Sequence, residues 1–236
     1  MRIIFIRHGD PDYTIDNLTE KGKREATLLN KRVAKWDNIT QYYVSPLGRA
    51  QATCEYALKG TGRTAITKEW LEEFTVIVPS KGGRHVPWDF LPDYWTRDPK
   101  FVDLNQWYEA DIYKDMPIKE HVDHVTGEFD KILSEYGYFR EGNMYVTEKE
   151  NDDTTLVFFC HLGVSCLLLA HLTNIAPTML WHSFYVAPTS LTIGAFEERE
   201  PHKASFRIQV MGDTNHLHDG NEPVSKSGYF TTTFSD

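Results

Sequence analysis

Two apolar runs, about 150 residues apart, each break off at a histidine with a glycine close behind. The first is Ile3-Ile4-Phe5-Ile6, leading into Arg7-His8-Gly9. The second is Leu156-Val157-Phe158-Phe159-Cys160, leading into His161-Leu162-Gly163. Unbroken β-branched and aromatic runs of this length read as strands buried on both faces, the condition of a sheet covered by helices. In open α/β sheets, ligands bind beyond the carboxyl ends of the strands. A third run, Gln41-Tyr42-Tyr43-Val44, ends at Ser45-Pro46-Leu47-Gly48-Arg49. If the three strands lie side by side and parallel, His8, His161 and Arg49 converge with Arg7 at one edge. Two guanidinium forks match the oxygens of a phosphate, and a neutral imidazole can attack phosphorus.

The rest of the chain supports an α/β fold: a three-layer sandwich with a mostly parallel central sheet, helices on both faces and an inserted cap. A helix is expected over about 19–36, with Ala26, Leu29, Val33 and Trp36 as its apolar stripe and Asp16, Asn17 or Thr19 as its cap. Pro46 suits the first turn of the next helix, which carries Arg49 and ends near Gly60 and Gly62. A phosphate near that helix start would gain from its free amides. Thr64 to Trp70 reads as a short strand. A helix follows at about 119–136, then a hairpin or exposed excursion over 138–153. The helix from Val164 to Leu172 is apolar nearly all round and so is expected to be buried. Ser190–Phe196 and Ser205–Met211 read as strands. We expect one domain over 1–236, with 75–118 as a cap or specificity insertion and 219–236 as a loosely held tail.

Charge narrows the function. Lys and Arg number 25 against 34 Asp and Glu, so the net charge is −9, which argues against a nucleic-acid or anionic-membrane partner. Any phosphate site is then a local positive pocket in a negative shell. Three cysteines form no disulfide framework and suit a reducing, cytoplasmic setting. The N-terminus enters a strand directly, without a signal-peptide layout, and no apolar stretch approaches membrane-spanning length.

Five motifs occur in order: Arg7-His8-Gly9, Leu18-Thr19-Glu20-Lys21-Gly22, Ser45-Pro46-Leu47-Gly48-Arg49-Ala50, Leu71-Glu72-Glu73 and Cys160-His161-Leu162-Gly163. With the later Gly212-Asp213-Thr214-Asn215-His216-Leu217, the series resembles the histidine phosphatase superfamily, in the branch that includes cofactor-dependent phosphoglycerate mutases. The stretch from about 75 to 120 matches none of its motifs. The resemblance implies His8 as nucleophile, with Arg7, Arg49 and His161 on the phosphoryl oxygens. It further implies Glu73 as general acid and His216 as a support near the sheet. Glu72, one residue away, serves as the control. Asp10 reads as a turn-forming carboxylate. No cofactor and no metal are expected. His121 and His124 sit three apart on a helix, but their face is polar and they read as solvated surface. His171 and His182 could belong to core or rim.

Resemblance does not choose the reaction. Phosphoglycerate mutases carry an adjacent arginine pair in the insertion. Here Arg84 and Arg97 stand apart, with Lys81, Lys100 and Lys114, among Trp88, Phe90, Tyr94, Trp95, Phe101, Trp107, Tyr108 and Tyr113. That pattern favours a phosphatase acting on a small-molecule phosphate ester whose alcohol part is apolar or aromatic. The alternatives are mutase-type phosphotransfer and an inactive phosphate-binding or regulatory module. The same aromatics could instead form a satellite core. A homodimer is compatible with all of these.

Overall fold

The computed structural model describes residues 1–74, 76–79, 85–150 and 152–229. Lys81 and Arg84 of the insertion, and the end of the tail from 230 onward, lie outside the described residues.

Eight strands form one sheet: β1 (Arg2–Arg7), β2 (Gln41–Val44), β3 (Ala65–Thr67), β4 (Phe139–Glu141), β5 (Met144–Val146), β6 (Thr155–Cys160), β7 (Leu191–Glu200) and β8 (Lys203–Asp213), in the order β3-β2-β6-β1-β7-β8-β5-β4. From β3 to β1 every pairing is parallel; from β1 to β4 every pairing is antiparallel. The sheet is therefore mixed rather than mostly parallel. The reason is local: β4–β5 and β7–β8 are joined by short turns, and a short turn can connect only antiparallel strands. The expected strand at Thr64 to Trp70 shrinks to β3, because Glu69–Leu71 closes into a 3₁₀ turn.

Alternation along the buried strands sorts side chains onto two faces. Ile4, Ile6, Tyr42, Val44, Val157 and Phe159 meet α1 (Glu20–Val33) and α2 (Gly48–Leu58). Ile3, Phe5, Tyr43, Leu156 and Phe158 point the other way, to α3 (Ile118–Glu135) and α4 (Leu162–Thr173). Each such fully buried aliphatic or aromatic side chain stabilises the fold by about 1.5–3 kcal/mol. Thr19, not Asp16, caps α1, its hydroxyl accepting from the Gly22 N–H. As expected, α4 is buried on nearly every side. Two further helices, α5 (Pro177–Ser183) and α6 (Asn215–Asp219), were not expected; Pro177 at the first position of α5 was the available signal.

The insertion is built from single helical turns at Pro92–Trp95, Pro99–Val102, Trp107–Glu109 and Asp111–Tyr113. Its rings do not form a separate nucleus. Trp107 stands edge-on to Trp181 of α5, centroids 5.8 Å apart, and Trp181 lies 5.3 Å from Phe74. Phe90, Phe101, Trp107 and Tyr113 thus join Phe129 and Phe158 in one apolar cluster that reaches the sheet. Among the described residues, no helix is long and apolar enough to cross a membrane.

Candidate active site

The site follows from strand register. β1 and β6 run parallel with Arg7 opposite Cys160, so the next residues, His8 and His161, leave the sheet side by side. Their ring centroids are 5.1 Å apart. β2 flanks β6 on its other side, Val44 opposite Phe159, which brings Ser45 to the same edge.

His8 is 2% exposed. Its Nδ1 lies 2.8 Å from the Gly9 carbonyl oxygen. A carbonyl only accepts, so Nδ1 carries the proton and the Nε2 lone pair points away from it. Burial, reinforced by the Arg7 charge, pushes its pKa well below 6.5, so the ring is neutral at pH 7. Gly9 is required for space rather than for a turn: a Cβ there would stand 2.9 Å from the Gly22 carbonyl oxygen of α1. The end of β1 is also held from the far side. The Thr189 N–H donates to the Arg7 and His8 carbonyls at 3.1 and 3.2 Å. Thr189 does this at φ +57°, a strained conformation for a β-branched residue that costs on the order of 1–3 kcal/mol. His216 Nε2 lies 3.1 Å from the Thr189 hydroxyl, so His216 supports the edge indirectly.

His161 is fully buried, with Nε2 2.7 Å from the Ser45 hydroxyl. That hydroxyl also accepts from the Leu47 N–H at 3.3 Å. His161 Nδ1 is buried and has no hydrogen-bond partner among the described residues. Burial, then the neighbouring His8, keeps this ring neutral as well.

The two arginines are 5% and 9% exposed. Arg7 Nη1 donates to the Val186 and Ser227 carbonyls at 2.8 and 3.2 Å. Arg49 Nη1 pairs with Asp16 at 2.5 Å. The Asp16 carboxylate also accepts from the Gly48 N–H at 2.6 Å, so the start of α2, expected to be open to a phosphate, is capped by an acid from the preceding loop. Among the described residues, the Nε of each arginine is buried without an acceptor, like His161 Nδ1.

Glu73 completes the group. One oxygen accepts from the Phe74 and Val164 N–H groups at 2.9 and 3.0 Å, the other from Gly163 at 3.2 Å. Burial raises its pKa, while these three donors pull the other way. A cavity of about 910 Å³ opens beside the cluster, lined by Arg7, Arg49 and Glu73 together with aromatic residues of the insertion and of the Trp181–Tyr185 stretch. Arg7 and Arg49 are the cations among its described lining residues.

The five residues implied by the resemblance, Arg7, His8, Arg49, Glu73 and His161, are thus brought to one place. Ser45, Asp16, Thr189 and Tyr185 act around them and were missed as site residues. Only Ser45, inside a quoted motif, carried a signal. Other expectations need correcting. The tail is tied down as far as it is described: Glu222 pairs with Lys21 and Arg24 at 2.9 and 2.8 Å, Ser225 bonds Asp10, and the Tyr185 hydroxyl donates to the Ser225 and Ser227 carbonyls at 3.1 Å. Asp10, besides its turn role toward Thr19, is an anchor for that tail. His121 is not purely solvated; its ring meets Phe74 edge-on at 4.8 Å. His182 lines the cavity, whereas His171 bonds Asp130 at 2.9 Å. Arg97 pairs with Asp93 at the surface and Lys100 reaches the Glu109 carbonyl.

Residues 3–78 match the family model described as histidine phosphatase superfamily (branch 1). No curated protein matches the chain. Solved structures with this fold include a phosphoserine phosphatase from Entamoeba histolytica in complex with phosphoserine (17% identity, TM-score 0.56, covering 92% of this chain and 98% of that one). The alpha-ribazole phosphatase of Shigella flexneri is 19% identical, with a TM-score of 0.57 and coverage of 91% and 97%. A mycobacterial glucosyl-3-phosphoglycerate phosphatase is 16% identical, with a TM-score of 0.55 and coverage of 89% and 98%. At these identities the likeness is one of fold.

Proposed function

We propose that this chain belongs to the histidine phosphatase superfamily, whose branch 1 model matches residues 3–78, and is a phosphomonoester hydrolase that works through a phosphohistidine on His8. The observation that carries this reading is the locked tautomer: a buried, neutral His8 whose Nδ1–H is held by the Gly9 carbonyl, 5.1 Å from a second imidazole.

The chemistry runs in two displacements. His8 Nε2 attacks phosphorus as the ester P–O bond breaks. Arg7, Arg49 and the His161 Nδ1–H take the equatorial oxygens, where charge spreads in the transition state. Arg7 Nε, Arg49 Nε and His161 Nδ1 are buried and unpartnered among the described residues; with the His161 proton on Nδ1, all three act as preorganised donors. The remaining guanidinium donors exchange the Ser227 carbonyl and the Asp16 carboxylate for phosphate oxygens. Glu73 gives its proton to the departing alkoxide. Its carboxylate then takes a proton from water as that water cleaves the N–P bond, releasing phosphate and restoring both side chains. Neutral His8 and protonated Glu73 are needed together. Burial favours both states, lowering one pKa and raising the other. A cytoplasmic setting fits the three cysteines, all buried free thiols.

The test is to quench the protein during turnover of a phosphorus-labelled ester. The expected result is a base-stable, acid-labile adduct mapped to His8, phosphate as product, and loss of both in His8→Ala, with activity down at least ~10⁴-fold. An active His8→Ala variant would sink the reading. Transfer of the phosphoryl group to a second alcohol without phosphate release would redirect it to a mutase.

A further inference from the structure

Glu73 and Trp88 meet over a single residue. A Cβ built on Gly163 would lie 2.7 Å from Glu73 Oε1 and 2.5 Å from Trp88 Cζ3. The carboxylate and the indole edge therefore occupy the same small space above the start of α4, and glycine there is what lets both approach. The spacing has a chemical consequence. Under the reading above, the leaving-group oxygen must sit within hydrogen-bond reach of Glu73, about 2.6–3.2 Å. The cavity that this oxygen's carbon substituent would enter is lined by Trp88 together with Glu73.

Trp88 is only partly buried and lines the cavity. The lining also includes Trp95, Phe184 and Tyr185, and Tyr229 of the tail lies 4.5 Å from Tyr185 with its ring tilted by 37°. Phe184 and Leu91 at the rim are 47% and 50% exposed. A volume of about 910 Å³ is at the upper end for small-molecule sites and far exceeds what a phosphate group needs. One aromatic residue against the acid and further rings outward make a wall fitted to flat, ring-containing alcohols.

We infer that Trp88 is the platform on which the leaving group rests, and that the substrates are phosphomonoesters of ring-containing, largely apolar alcohols. This rests on the phosphohistidine reading for the position of the leaving oxygen. Trp88 is a specificity-determining residue: it touches the departing alcohol, not the phosphoryl group.

The test compares 2-(2-naphthyl)ethyl phosphate with ethyl phosphate, whose leaving alkoxides have similar basicity, so that chemistry is held level while the ring varies. The wild-type protein is expected to favour the naphthyl ester in kcat/KM by at least roughly tenfold, the size of a buried aromatic contact. Trp88→Ala is expected to remove most of that preference through KM for the naphthyl ester. Trp88→Phe, which keeps a ring and guards against loss of fold, is expected to retain part of it. Equal kcat/KM for the two esters in the wild-type protein, or an undiminished preference in folded Trp88→Ala, would overturn the inference while leaving the hydrolase reading intact. If neither ester is hydrolysed and no adduct forms on His8, the hydrolase reading itself has failed.

Discussion

Two regions meet at the cavity and are built on opposite principles. The phosphate side consists of residues delivered by parallel strand ends, each held by backbone or by a buried partner: His8 by Gly9, His161 by Ser45, the β1 end by Thr189. The opposite side is the insertion, made of single helical turns whose contribution is aromatic surface. Hydrogen bonds fix atoms to within fractions of an ångström, which is what in-line attack needs. Ring packing fixes a surface, which is what recognition of an alcohol needs. The difference suggests that the first region sets the reaction and the second sets the substrate.

Glu73 stands where the two regions touch, and changing it gives the sharpest test of that division. Glu73→Gln keeps the shape and removes the proton. With esters of alkanols, kcat is expected to fall about 10²–10⁴-fold, the usual worth of general acid catalysis. With 4-nitrophenyl phosphate, whose leaving group needs little protonation, the loss in the rate of His8 phosphorylation, read as the pre-steady-state burst of nitrophenolate, is expected to be tenfold or less, while hydrolysis of the phosphohistidine slows equally for both esters. The pH profile adds an independent check. Because burial raises the Glu73 pKa, deprotonation of the acid produces the alkaline limb, and that limb should vanish in the variant. Equal losses for both esters in the phosphorylation step would mean that Glu73 only positions Gly163 and Val164, and the acid would have to be sought among the insertion's residues.

A smaller effect tests whether the two regions are mechanically separate. Phe101 of the insertion is 1% exposed and packs with Phe90, Tyr94 and Tyr113 at centroid distances of 5.9, 6.0 and 5.8 Å. Phe129 of α3 plays the same part beneath the sheet, 5.5 Å from Phe158. Since both belong to one apolar cluster, Phe101→Ala and Phe129→Ala should each lower global stability by about 3–5 kcal/mol, in one cooperative denaturant transition. If the insertion were a flap that opens alone, Phe101→Ala would instead speed amide exchange over 85–116 and leave the global transition in place.

This contrast also explains what could be read from the sequence. The phosphate side was legible because apolar runs that break off at His8 and His161 encode both a strand and its end, and register then does the rest. The parallel half of the sheet followed from the same signal. The antiparallel half was only partly legible, since β7 and β8 read as strands but their pairing with β1 did not. Partners reached through long-range folding left no local mark. Asp16 looks like any loop acid until α2 comes to rest on it. The Gly- and Ser-bearing tail reads as loose, yet its carbonyls at Ser225 and Ser227 are acceptors for Tyr185 and Arg7. In the insertion, composition announced an aromatic surface without saying which ring faces the acid.

The smallest expected effect concerns a buried acid on the phosphate side that performs no chemistry. Glu25 of α1 is fully buried, accepts from the Asp10 N–H at 2.8 Å, and has Lys21 3.4 Å away. Burial pushes its pKa from 4.5 to about 7. Between those values the folded protein holds a proton that the unfolded chain has lost, so this group makes stability fall as pH rises through that window. The buried histidines, whose pKa values are lowered, act in the opposite direction, so the wild-type curve alone is not diagnostic. Glu25→Gln isolates the term. Relative to wild type, the variant should be nearly neutral at pH 5. It should gain about 1–3 kcal/mol by pH 8, the loss of the Lys21 pair holding the gain below the ~3 kcal/mol that the full shift represents. Thermal unfolding followed at half-unit steps would show it. A difference that stays flat across pH 5–8 would mean that Lys21 and the Asp10 amide compensate the buried charge fully, and that the phosphate side is no less tolerant of buried acids than the ring-lined side is of buried aromatics.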